Sequence, residues 1–145
     1  MTVTMKILFC ILSGGLLGFS YPPFETGMLA AAGFVPLLVL LSTAESPGAV
    51  FRICYPTFFL FNLITLYWPG GFVHGKDVYL MISGGLLLVA HPIFMSIPML
   101  VWYFIRKGVG QFRAVLVFPL VWVAFEYAHA STQLSFPWLT LGYTQ

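Results

Sequence analysis

The chain has 145 residues, 60% of them hydrophobic and only 7% charged, with a net charge of +2. Soluble domains carry about 25% charged residues, so this composition, with a mean hydropathy of +0.97, excludes an ordinary water-soluble fold. It points to an all-α integral membrane protein, and the small positive charge gives no ground for a nucleic-acid partner.

The charged residues are Lys6, Glu25, Glu45, Arg52, Lys76, Asp77, Arg106, Lys107, Arg113 and Glu126, and nearly all fall between apolar runs. They divide the chain into five expected transmembrane helices, at 5–20, 28–43, 51–68, 78–105 and 114–130, followed by an interfacial segment at 131–145. At about 1.5 Å per helical residue, the first two are short for a hydrocarbon core of about 30 Å and the fourth is long. Loops rich in Lys and Arg stay cytoplasmic. An N-terminus inside places Lys6, Arg52, Arg106, Lys107 and Arg113 on that side and leaves only Lys76 outside. The C-terminus then lies outside.

The first run follows Lys6 and ends in Gly18-Phe19-Ser20, which fits a signal peptide or a retained first span. Four further apolar runs favour the retained span. Gly14 and Gly18 form a Gly-x-x-x-Gly pair, read as a close helix contact. Pro22 and Pro23 then break the helix. The second run has small residues, Ala30 to Gly33, on its outer half and leucines after Pro36. A short turn at 44–48 leads into the third run, where Asn62 is expected to bond a neighbouring helix and Tyr67-Trp68 to lie at the outer interface.

An irregular outer loop, 69–77, contains His74, Lys76 and Asp77. The fourth run holds His91, Pro92 and Pro98, so a kinked helix with a hydrogen-bonded core histidine is expected. The fifth holds Pro119, Trp122, Glu126, Tyr127 and His129. A carboxylate in an apolar run is by default functional, whereas at the interface it is ordinary, and both readings stand. Arg113 lies about 20 Å away along a helix, which leaves His129, one turn on, and Lys76 as partners for Glu126. Cys10 and Cys54 sit in apolar runs without Cys-x-x-Cys spacing and read as small buried hydrophobes. No metal site and no cofactor motif is expected.

Several stretches share one pattern in order. Tyr21-Pro22-Pro23-Phe24 leads into a span with Pro36-Leu37-Leu38, and Phe51-Arg52 opens a span ending Leu66-Tyr67-Trp68. Pro119-Leu120-Val121-Trp122-Val123-Ala124-Phe125-Glu126 precedes Phe136-Pro137-Trp138-Leu139-Thr140-Leu141-Gly142-Tyr143-Thr144-Gln145. This resembles the N-terminal membrane region of the apolipoprotein N-acyltransferases of the bacterial inner membrane. The resemblance covers essentially the whole chain, and its most specific part is the Phe-Pro-Trp-Leu-x-x-Gly-Tyr-x-Gln ending.

The resemblance implies transfer of an acyl chain from membrane phospholipid to the α-amino group of a lipoprotein's diacylglyceryl-modified cysteine. It proceeds through a thioester on a Glu-Lys-Cys triad in a nitrilase-like outer domain. Cys10 and Cys54 match no part of that motif, so no catalytic residue is carried over. The chain is therefore expected to be the membrane-anchoring, lipid-access part of such an enzyme, cut before its catalytic domain and inactive alone. Its lipoprotein substrate would be met through that domain. The lipid-facing candidates are Tyr67, Trp68, Glu126, Phe136, Pro137, Trp138 and Tyr143. A self-contained five-span protein with a binding or transport role is the alternative.

Overall fold

The computed structural model describes residues 1–24, 26–67, 77–132 and 139–144. Among these residues five α-helices follow one another: α1 (Val3–Phe19), α2 (Leu29–Ser42), α3 (Pro47–Thr65), α4 (Val78–Val109) and α5 (Gln111–Ala130), with a short 3-10 turn at Leu141–Thr144. The last three are long and apolar enough to cross a membrane. The others are shorter apolar helices of 17 and 14 residues. The physical limit on α1 and α2 is local, because the Tyr21-Pro22-Pro23 turn stops the first and the residues before Ser46 stop the second.

The helix ends follow from their capping residues. Thr2 caps α1 by accepting from the Met5 amide, and Ser46 caps α3 by accepting from Ala49, with Pro47 in the first turn where no donor is needed. Asp77 caps α4, accepting from Tyr79 at 2.8 Å and Leu80 at 3.3 Å. Instead of the expected basic loop at 106–113, α4 continues to Val109 and α5 begins at Gln111. Gly110 alone joins them, and its φ of 86° lies in the region that glycine adopts without strain. Arg106 and Lys107 therefore occupy the last turn of α4, where their charge complements the helix dipole.

The interior combines apolar packing with a few bonded polar groups. Leu37, Leu40, Leu41, Val50, Phe58, Met99 and Trp102 are fully buried, so the leucines of α2 face protein. Conversely, Ile82, Leu86, Val89, Ile93, Ile97, Val101 and Phe104 make an exposed stripe along α4 at helical spacing. A β-carbon on Gly14 would lie 2.6 Å from the Thr57 carbonyl oxygen, and one on Gly18 2.8 Å from Ile64. The glycine pair thus seats α1 against α3, and because Cys10 meets Ile53, the two helices run parallel. Ser13 donates to the Gly33 carbonyl at 2.6 Å and ties α1 to α2.

At the end where α2 gives way to α3, the Arg106 guanidinium donates to the carbonyls of Ser42 and Ala44. These are acceptors that the closing helix leaves without partners. Tyr103 donates to the Glu45 carbonyl at 2.8 Å, and the Trp102 indole to that of Ala114 at 2.8 Å. Lys6, Arg52, Arg106, Lys107 and Arg113 all lie toward this end, since α1, α3 and α5 begin there and α4 finishes there.

Candidate functional site

The opposite end gathers the polar groups of α3, α4 and α5. His91 Nδ1 lies 3.4 Å from the buried Asn62 Oδ1, which accepts from the imidazole in the tautomer that carries its proton there. Both expectations for these residues, a helix-bridging amide and a hydrogen-bonded core histidine, are met by this one pair. The His91 ring stands edge-on to His129 at 5.7 Å, and His129 stacks on Phe125 at 5.6 Å. Among the described residues, Asn62 Nδ2 and His129 Nε2 are buried without a hydrogen-bond partner.

Glu126 accepts twice at the same oxygen. The Trp122 indole donates to Oε1 at 2.7 Å and the Leu141 amide donates to it at 2.9 Å. This corrects the pairing with His129, whose ring is held against Phe125 and His91 rather than turned to the carboxylate. Lys76, the other expected partner, lies outside the described residues. Glu126 is half-buried and acts on backbone, so its place is that of a clamp on the final segment.

A second clamp comes from a residue that sequence reasoning did not single out. Tyr21, just past α1, is 4% exposed and packs its ring on Phe61 at 5.4 Å. Its hydroxyl donates to the Leu139 carbonyl at 2.7 Å. Burial, and then the Glu126 carboxylate, push the phenol above the ordinary tyrosine range, so it remains a donor. Tyrosine beside two prolines was visible as a motif, but nothing local signals a bond across 118 positions.

Between these clamps lies a cavity of about 20 Å³, bounded by His91, Trp122, Glu126, His129, Leu139 and Thr140. That is room for about one water-sized group. The cavity can orient a small polar species between imidazole, carboxylate and backbone, and it is too small for an acyl chain. Among the described residues no three His, Cys, Asp or Glu side chains come together in a metal-holding group. The thiols are elsewhere: Cys54 is fully buried, and Cys10 donates to the Ile53 carbonyl at 3.7 Å.

Of the lipid-facing candidates, Tyr67 is 49% exposed just past α3, and Glu126 is placed as above. Trp68, Phe136, Pro137 and Trp138 lie outside the described residues, as does the side chain of Tyr143. The structure therefore brings Glu126 to the final segment through Leu141 and the Tyr21 clamp through Leu139.

Residues 13–145 match the apolipoprotein N-acyltransferase N-terminal domain. The chain is 36% identical over 141 residues to an apolipoprotein N-acyltransferase of Geobacter metallireducens, covering 95% of this chain and 27% of that protein. It is 33% identical over 138 residues to one of Chlorobaculum tepidum, covering 93% and 25%, and 30% identical over 157 to one of Methylococcus capsulatus, covering 97% and 29%. The chain thus spans about a quarter of the length of the curated relatives it matches. No solved structure matches it with significance. A domain match over most of the chain, with relatives above 30% identity along nearly all of it, places this protein in the apolipoprotein N-acyltransferase family, as its N-terminal domain.

Proposed function

We propose that the chain forms the membrane-embedded, lipid-facing part of an apolipoprotein N-acyltransferase. That activity would move an acyl chain from a phospholipid to the α-amino group of a lipoprotein's diacylglyceryl-modified cysteine. The match of residues 13–145 to the family's N-terminal domain carries this reading. The five cations at one end of the bundle support a cytoplasmic N-terminus in the bacterial inner membrane, with the Glu126 end outward. All five helices are read as membrane-embedded, α1 and α2 being short enough to need local thinning of the bilayer.

Acyl transfer through a thioester needs a thiolate with a base and charge-stabilising groups within hydrogen-bond reach. Cys54 is closed off in the core and Cys10 is turned to a backbone carbonyl, so these residues alone should transfer no acyl group. Their role is to hold the outer segment, 131–145, where Trp138 and Tyr143 would shape the entrance for the donor's acyl chain. The Tyr67, Trp68, Phe136 and Pro137 surface would continue it.

The test is a chimera in which this chain replaces the corresponding N-terminal region of the Geobacter metallireducens relative. N-acylation of a lipoprotein is read by mass spectrometry in cells depleted of their own enzyme. Acylation by the chimera and none by the 145 residues alone is expected. A chimera that inserts stably yet never acylates, or activity from the chain alone, overturns the reading. Within an active chimera, Trp138→Ala should lower acylation more than protein level, and unchanged acylation removes Trp138 from the entrance.

A further inference from the structure

The cation-rich end contains a groove between α1 and α3 that the acyl-transfer reading does not use. Its volume is about 480 Å³, its walls include Ile7, Cys10, Ile53 and Pro56, and Lys6 and Arg52 sit among them. Among the described residues no carboxylate lines it. Gly14 and Gly18 bring α1 and α3 into close contact, and the groove lies on the N-terminal side of that contact, where Val3, Lys6 and Ile7 of α1 and Ala49, Arg52 and Ile53 of α3 line it.

Among the described residues neither Lys6 nor Arg52 makes an ion pair or a side-chain hydrogen bond. Two like charges on one groove repel each other, and an anion placed between them would relieve that repulsion. Pro56 adds an acceptor at the same level. Having no N–H, it leaves the Arg52 carbonyl without its usual donor four residues on.

An apolar helix filling this space would match the walls and leave both cations facing hydrocarbon. A zwitterionic lipid would bring its own ammonium toward them. We propose that the groove binds one anionic phospholipid, its phosphate between Lys6 and Arg52 and one acyl chain lying along α1 and α3 toward Leu60. The headgroup hydroxyls of phosphatidylglycerol can donate to the freed Arg52 carbonyl. This lipid lies at the end of the bundle away from Glu126 and Leu139, so it is a ligand that braces α1 against α3 and not the acyl donor.

Native mass spectrometry of the 145-residue chain in neutral detergent tests this with dioleoyl phosphatidylglycerol against dioleoyl phosphatidylcholine. One chain should retain one phosphatidylglycerol with roughly tenfold preference or more, at about 1 kcal/mol for each basic residue near an anionic lipid. The double variant Lys6→Gln, Arg52→Gln should lose the preference, and because both residues are exposed its fold should persist. Arg113→Gln removes a cation from the same end but outside the groove and should keep the preference. Ala49→Phe fills the groove without changing charge and should weaken retention of the lipid. Each variant's thermal midpoint in phosphatidylcholine verifies folding. Equal retention by the double variant, no effect of Ala49→Phe, or a lipid-free two-chain species overturns the proposal.

Discussion

The Tyr21 hydroxyl donates to the Leu139 carbonyl at 2.7 Å, joining the turn after α1 to the final segment across 118 positions. Two residues further on, the Leu141 amide is held by Glu126. The last described stretch is therefore fastened from two sides, by a phenol on its carbonyl and a carboxylate on its amide. The fastening is backbone-directed, so it fixes where the segment lies whatever its side chains do.

Tyr21→Phe keeps the ring against Phe61 and removes only the donor, leaving the Leu139 carbonyl unsatisfied in a buried place. The expected loss is about 1–2 kcal/mol. Hydrogen exchange should rise at 139–144 while the amides of α3 and α4 stay protected. Uniform exchange across the chain would show that Tyr21 supports the whole bundle instead.

The same phenol gives a pH dependence. Its folded-state pKa is raised, so in the unfolded chain it ionises near 10 while in the folded chain it stays protonated. The unfolded state then binds fewer protons, and stability falls as pH rises above about 10. Thermal unfolding between pH 8 and 11 should show this decline in the parent chain, with a shallower one in Tyr21→Phe.

Glu126→Gln retains an acceptor for both Trp122 and Leu141, whereas Glu126→Ala removes it from both. The alanine variant should lose on the order of 1–3 kcal/mol, and the glutamine variant clearly less. His129→Ala serves as the contrast, because the carboxylate's bonds to Trp122 and Leu141 do not involve that ring. If His129→Ala loosened 139–144 as much as Glu126→Ala, the clamp would be wrongly assigned.

Close contact makes a fourth prediction. Gly14→Ala puts a methyl 2.6 Å from the Thr57 backbone oxygen, which cannot swing aside. A destabilisation of about 1–3 kcal/mol is expected from such overpacking. Gly15→Ala, with nothing within 4 Å, should be neutral or slightly stabilising by helix propensity. Thermal unfolding of the pair in one detergent reads the difference.

Arg106→Lys preserves charge but replaces a planar fork that reaches two carbonyls with a single ammonium. It should cost about 1 kcal/mol and loosen the turn between α2 and α3, seen as faster exchange at 43–46. Arg106→Ala should cost more, since it also removes the cation packed over the Trp102 and Tyr103 rings.

The sequence by itself determined the class of the protein, the number and order of its helices, the end at which its cations collect, and its family resemblance. These depend on composition, charge spacing and motifs, which act locally along the chain. It also marked Gly14 with Gly18, Asn62 and Glu126 as positions with a task, because a missing β-carbon or a polar atom among apolar neighbours must be accommodated somewhere.

Only the tertiary structure decided what accommodates them. Glu126 binds a backbone amide and an indole rather than a histidine, Tyr21 meets Leu139, and Lys6 shares a groove with Arg52 from another helix. The physical reason lies in the helices themselves. A helix apolar on nearly all its faces, such as α5, carries no stripe that names its buried side. Which faces meet, and which distant groups then pair, is settled by the packing of glycines, aromatics and leucines against one another.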